Sequence, residues 1–216
     1  MQDPKRIGAE FKKAVEEASK YIDLLDEARN EALKVARDII RLSGYVVTKI
    51  NNLEFDEAKE MISELEQKVK RYLEIIGPYK ELFYTGFTSN ALSEYVEAEV
   101  LYKVFMEERV PTYKELNVHP VHYVLGVSDC IGEFKRIILE LIRRRRFNEC
   151  WIILEYMESL YNSISVLDYP EPLTPGLKHK IDVARKIIDS TKELLLDLST
   201  RVKLESKMEK LIEKLL

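Results

Sequence analysis

Apolar residues recur along the first part of the chain at intervals of three and four. Phe11, Ala14, Val15, Ala18, Ile22, Leu25, Ala28, Ala32, Val35, Ile39 and Leu42 fall on one stripe. That period marks an amphipathic helix; a half-buried strand would alternate at every second residue. Asp3-Pro4 offers an N-cap and a proline at the first helical position. The pattern predicts one unusually long helix from there to about Ile50, stopped at Asn51-Asn52. Met61, Leu65, Val69, Tyr72 and Ile76 predict a second helix over 55–76, ended by Gly77-Pro78. Residues 79–87 read as a short helix broken at Gly86. Thr88 or Ser89 is expected to cap a third long helix reaching about Glu108. Pro111 and residues 117–120 form a connector, and Pro120 opens a helix to about Arg146. Another helix covers 148–166. The segment 168–176, with three prolines, is a loop, and a last helix runs from about Leu177 toward the C-terminus. Its end carries Leu204, Met208, Leu211 and Leu215 at spacings of four, three and four, a coiled-coil-like seam. That seam either docks on the protein's own core or serves as a surface for a partner.

Composition agrees with this reading. The 216 residues include 7 Gly and 7 Pro, where average usage would give roughly 26 together. So few turn residues leave room only for long elements, which excludes the loop-rich sandwiches, barrels and α/β folds. We expect an all-α, single-domain bundle of about seven helices spanning residues 1–216. No apolar run approaches the roughly 18 residues needed to cross a bilayer, and MQDPKRIGAEFKK contains no apolar leader. Cys130 and Cys150 make neither a disulfide framework nor a zinc site. A cytoplasmic protein without a membrane partner is therefore expected. The formal charge of −4 gives no general attraction to nucleic acid, so any such binding must come from local patches.

Several chemistries lack their residues. There is no Gly-rich phosphate loop, no H-E-x-x-H and no C-x-x-C. No acid precedes a histidine by three residues, as a ferritin-like di-iron site requires. His119 and His122 share a helical spacing, but Pro120 between them marks a helix start, so capping or interface packing is the expected role. The acids are more informative. Between Lys80 and Lys103, and again between Lys114 and Lys135, there is no Lys or Arg. These stretches contain Glu94 and Glu97 at i, i+3, and Asp129 and Glu133 at i, i+4, each pair on one helix face. Like charges at such spacings weaken a helix. Asp129 lies in a segment apolar nearly all round, VHYVLGVSDCIGEF, and is expected to be buried. Four carboxylates on two packed helices make a hard oxygen site suited to Mg²⁺ or Mn²⁺. A Lys or Arg from another helix, or solvent, would relieve the repulsion equally well.

A basic stretch follows. Lys135, Arg136 and Arg143, Arg144, Arg145 and Arg146 outweigh Glu140 and Glu149 over residues 135–149. Acids for a metal beside arginines for phosphate are what phosphodiester cleavage needs. Basic residues also favour a helix C-terminus by themselves, so Arg143 to Arg146 are candidates either for RNA or for the helix end.

Two segments, ALSEYVEAEVLYKVF and HYVLGVSDCIGEFKR, resemble the most distinctive parts of the translin superfamily. They are closer to its translin-associated factor X (TRAX) branch than to translin. The pattern E-Y-V-E-A is matched by Glu94 to Ala98, and Y-L-L-G-V-x-D-x-x-G-E by Tyr123 to Glu133. Translin proper lacks the acid matching Asp129. Ala36-Arg37-Asp38 and GLKHKID with DLSTR are weaker likenesses. The resemblance implies a seven-helix, all-α subunit assembling into closed octameric barrels, here as a homo-oligomer. It further implies a Mg²⁺-dependent endoribonuclease acting on single-stranded RNA in an enclosed space, with single-stranded DNA as a second ligand class. On it, Glu94, Glu97, Asp129 and Glu133 are the catalytic and metal-binding acids. The alternative is a non-catalytic, translin-like nucleic-acid-binding assembly. The basic segment that precedes E-Y-V-E-A in translin has no counterpart here, since 81–93 contains no Lys or Arg, so no RNA contact is carried over there. The short connector at 109–119 and a start almost at the first helix depart from the eukaryotic pattern. They suggest a compact prokaryotic, archaeal version.

Overall fold

The structure is a computed structural model that describes residues 4–215. Asp3, expected to cap the first helix, lies outside the described residues. Among those residues there are seven helices and no strand. They are α1 (Pro4–Asn51), α2 (Phe55–Ile76), α3 (Lys80–Phe83), α4 (Gly86–Glu107), α5 (Pro120–Arg143), α6 (Phe147–Ser165) and α7 (Leu177–Leu215). No helix of the described residues is long and apolar enough to cross a membrane.

The 48-residue α1 runs unbroken, but only its second half enters the core. Burial begins at Ala32 and continues through Ala36, Ile39, Val46 and Ile50, where α2 and α4 lie against it. Before that the helix projects, and Phe11 is 69% exposed. The seam residues Leu204, Met208 and Leu211 at the far end of α7 are exposed as well, so they do not dock on this chain's own core.

The centre belongs to α4 and α5. α4 packs against α1, α2 and α5, while α5 carries α6 and α7 on its other sides. A helix enclosed on all sides must be apolar all round, and α4 nearly is: twelve of its residues are buried, from Thr88 to Tyr102. Two of the twelve, Glu97 and Glu99, are acids. Glu99 has a cation beside it. Lys103, one turn on, stands 3.2 Å away and partly opposes the effect of burial, which pushes the Glu99 carboxyl up to about 7.

Two boundaries differ from expectation. α4 starts at Gly86, with Thr85 at the cap position. Thr88, expected as the cap, sits inside the helix and is buried. Its hydroxyl donates to the Leu82 carbonyl at 2.6 Å and pairs with the Tyr72 hydroxyl at 2.5 Å. It ties the helix start to α2 and α3 instead. α5 ends at Arg143 rather than Arg146. His119 does cap α5, accepting from the Val121 amide at 3.3 Å, and His122 is buried.

Candidate functional site

α4 and α5 approach so closely at one point that only glycine fits. A methyl group on Gly126 would collide with the Ser93 carbonyl oxygen and stand 2.8 Å from Val96 Cβ. One turn before, the Ser93 hydroxyl donates to the His122 carbonyl at 3.4 Å; one turn after, Cys130 Sγ faces the Glu97 carbonyl at 3.9 Å. These contacts fix the register of the two helices. They bring the turn bearing Glu94 and Glu97 opposite the turn bearing Asp129 and Glu133.

All four acids line one cavity of about 590 Å³. Gly176, in the left-handed conformation at φ 81°, turns the preceding loop into α7, whose first turns close the far wall with His179, Lys180 and Val183. The acids meet different environments. Glu97 is 7% exposed. Burial, then the neighbouring charges of Asp129, Glu133 and Glu94, push its carboxyl up to about 9, against a smaller opposing pull from Lys180. Glu94, half-buried, is raised for the same first reason. Among the described residues neither side chain accepts a hydrogen bond. Glu133 accepts from the Asn51 amide at 2.6 Å and faces Arg136 at 3.4 Å.

Asp129 departs from the sequence expectation. Its side chain is 36% exposed, not buried, and it has a cation: Lys180 donates to both of its carboxylate oxygens. The apolar surroundings in sequence misled because α5 turns this face toward the cavity and α7 rather than into the core. Glu97, on the enclosed helix, is the acid that burial strands. Lys180 and Asn51 were missed by sequence reasoning. The GLKHKID likeness marked the Lys180 segment without indicating a role, and nothing singled out Asn51.

The donor chemistry suits a hard divalent cation: every candidate ligand is a carboxylate, and two of the four are unengaged. Among the described residues no three acids, imidazoles or thiols are already gathered around one point. Lys180 and Asn51 hold two of the four instead.

The arginine run is elsewhere. Arg143 follows Glu133 by ten positions, roughly 15 Å along α5. Arg143 and Arg144 both pair with Glu140, which they hold down to about 2, Arg144 also donates to the Asn52 carbonyl at 2.6 Å, and Arg146 pairs with Glu149. Among the described residues Arg145 pairs with no carboxylate. It occupies the left-handed position after α5, φ 58°, where its amide bonds the Ile142 carbonyl at 2.9 Å and that of Arg146 bonds Leu141 at 2.9 Å. This is a Schellman closure, a place that favours glycine. Arg145→Gly is expected to stabilise the fold by about 1 kcal/mol by removing the left-handed strain. Thermal melts of the two proteins check this.

Comparison with known proteins agrees with the architecture. The model of the translin family matches residues 10–202. An uncharacterized protein of Methanocaldococcus jannaschii is 31% identical over 173 residues, covering 79% of this chain and 76% of its own. Among solved structures, AfC3PO is 30% identical at a TM-score of 0.75, with 87% of this chain and 98% of that chain covered. An AfC3PO–duplex RNA complex is 29% identical at the same TM-score, covering 87% and 97%. Apo-NeC3PO, at 22% identity, has a TM-score of 0.74 and covers 91% and 98%; it bears on the fold alone.

Proposed function

Since this chain belongs to the translin family, we propose that it is a divalent-cation-dependent endoribonuclease of the TRAX-like kind, working as a closed homo-oligomer. The observation that carries the reading is Glu97. A carboxyl placed 7% exposed, without a hydrogen bond, among three further acids costs stability and gains nothing structural. Its neighbour Glu99, also buried, has at least a lysine 3.2 Å away, whereas Glu97 forms no ion pair among the described residues. Groups pushed this far from their ordinary range cluster where chemistry is done.

In this reading Glu94, Glu97, Asp129 and Glu133 hold Mg²⁺, with Mn²⁺ as a substitute. The cation, when bound, polarises the phosphate and acidifies its water. The chain's own residues do the rest. α4 and α5, locked at Gly126, hold the carboxyls on one wall, and α7 closes the other. An acid of this group that is not fully engaged with the cation takes the proton of the attacking water. Arg145, which pairs with no carboxylate among the described residues, is a candidate for phosphate at a distance from the cut.

AfC3PO has been solved with duplex RNA, which supports RNA as the ligand here. It also makes the strand state the variable to test, because the expectation of a single-stranded substrate rests on the family resemblance. A rival reading, RNA binding without catalysis, is favoured by one observation: Lys180 already neutralises Asp129. The two separate in one experiment. End-labelled single-stranded and duplex RNA are incubated with the protein in Mg²⁺ or EDTA, alongside a Glu97→Ala, Asp129→Ala double variant. Mg²⁺-dependent cutting that the variant loses is the expected result. Equal binding by both proteins without cutting would establish the rival.

A further inference from the structure

Lys180 is the residue of this cavity that already behaves as a bound cation. Its ammonium donates to both oxygens of Asp129. It comes from α7, whereas all four acids come from α4 and α5. α7 also has apolar anchors of its own. Its buried residues Leu177, Ala184, Ile188, Thr191 and Leu195 anchor the helix, and Lys180 stands half-buried beside them, reaching into the cavity. The pair also sits next to Glu97, which is buried and accepts no hydrogen bond among the described residues.

A divalent cation held by Asp129 and an ammonium on the same two oxygens would be two cations at contact distance in a partly desolvated cavity, where repulsion is far stronger than in water. They exclude one another. Lysine suits such an exchange, since its charge is compact and its four-carbon stem is flexible. Turning the stem moves the ammonium off Asp129 while keeping it on the cavity wall. There it faces the space a nucleic acid phosphate must enter to reach the acids, and it can act as a point charge on phosphate.

We infer that Lys180 is a placeholder: its ammonium occupies the cation position of Asp129 until a divalent ion displaces it, and it then anchors the RNA phosphate from the opposite wall. This rests on the ribonuclease reading above. It makes the Asp129 position an ion-exchange site. It also accounts for why the four acids are not gathered around one point while Lys180 is in place.

The test uses the full chain without RNA. Mn²⁺ is titrated into wild type, Lys180→Met, Lys178→Met and Asp129→Asn, and free Mn²⁺ is read by electron paramagnetic resonance. Met keeps the stem of Lys180 and removes the competitor. Lys178, exposed on the same helix, controls for loss of a positive charge at large. Lys180→Met is expected to bind Mn²⁺ about five- to tenfold tighter. Lys178→Met should stay within about twofold of wild type, the scale of a screened surface charge, and Asp129→Asn should bind more weakly. A merely structural role would weaken binding in Lys180→Met, not tighten it. If Asp129→Asn weakens binding but Lys180→Met does not strengthen it, the placeholder is overturned and the metal site stands. Equal tightening by both lysine variants overturns it too, as general electrostatics. If wild type binds no Mn²⁺ at millimolar concentration, the metal reading falls and the placeholder with it. The phosphate role is read from cleavage: Lys180→Met should raise KM for RNA more than it lowers kcat, and an unchanged KM would overturn that half.

Discussion

Glu97→Gln should abolish RNA cleavage and, in EDTA at about pH 8, raise the melting temperature. The two effects have one cause. Glu97 is 7% exposed on a helix enclosed on all sides, with three acids near it, and its carboxyl is pushed up to about 9 by burial first and those charges second. A carboxyl whose folded-state value lies above its unfolded value binds its proton more tightly in the native state. Its contribution to stability is therefore complete below the ordinary carboxylate range. It is lost progressively as pH rises from there to about 9. At pH 8 most of that loss has occurred, a few kcal/mol by the usual conversion. Glutamine keeps the shape and the neutral state and has nothing to ionise. The variant's advantage should thus be largest near pH 8 and vanish near pH 4. With Mg²⁺ the order is expected to reverse: the cation replaces the proton in wild type and raises its melting temperature, while the variant gains little. Cleavage should fall at least about 100-fold, since a lost ligand exceeds the 10–100-fold typical of outer-shell losses. Melts at several pH values, with Mg²⁺ and with EDTA, check all of this. A wild type that melts higher than Glu97→Gln in EDTA at pH 8 would mean that the carboxylate is stabilised by the fold and is not held for a cation.

The same residue shows what was legible in the sequence. The spacings placed Glu94 with Glu97, and Asp129 with Glu133, on common faces, and the structure gathers all four around one cavity. Helix order and class were legible because periodicity and the scarcity of Gly and Pro are local properties. Which acid is buried was not. Local apolarity pointed to Asp129, but burial depends on what covers each face: α4 is buried over residues 91–102 save Glu94, whereas the α5 face bearing Asp129 lines the cavity under the start of α7. Lys180 was invisible for the same reason. It lies 51 positions from Asp129, and no rule of spacing joins them. The arginine run illustrates the opposite limit. Its charge was plain, yet most of it is spent on Glu140, Glu149 and the end of α5.

Gly126→Ala should be the most damaging methyl group added at any of the glycines. The added Cβ would meet the Ser93 carbonyl oxygen and lie 2.8 Å from Val96 Cβ. One of those neighbours is backbone inside a helix and cannot turn aside, so α4 and α5 must separate. Overpacking of this kind costs about 1–3 kcal/mol, and an obstacle in the main chain puts the cost at the upper end. Helix propensity pulls the other way, since Ala is favoured over Gly by about 1 kcal/mol, but the clash outweighs it. Gly132 isolates the two terms. It lies six positions on in the same helix, also lines the cavity, and a Cβ there meets nothing within 4 Å. Gly132→Ala should therefore stabilise by about 0.5–1 kcal/mol, while Gly126→Ala destabilises by about 3 kcal/mol. Function should divide along the same line. Separating the helices at Gly126 carries Glu94 and Glu97 away from Asp129 and Glu133, so Mn²⁺ binding and cleavage are lost together, even at temperatures where the variant remains folded. Denaturant melts with Mn²⁺ titration on both variants measure the two effects. A folded Gly126→Ala that binds Mn²⁺ like wild type would show that the four acids do not act as one site, because their grouping depends on how closely these two helices meet.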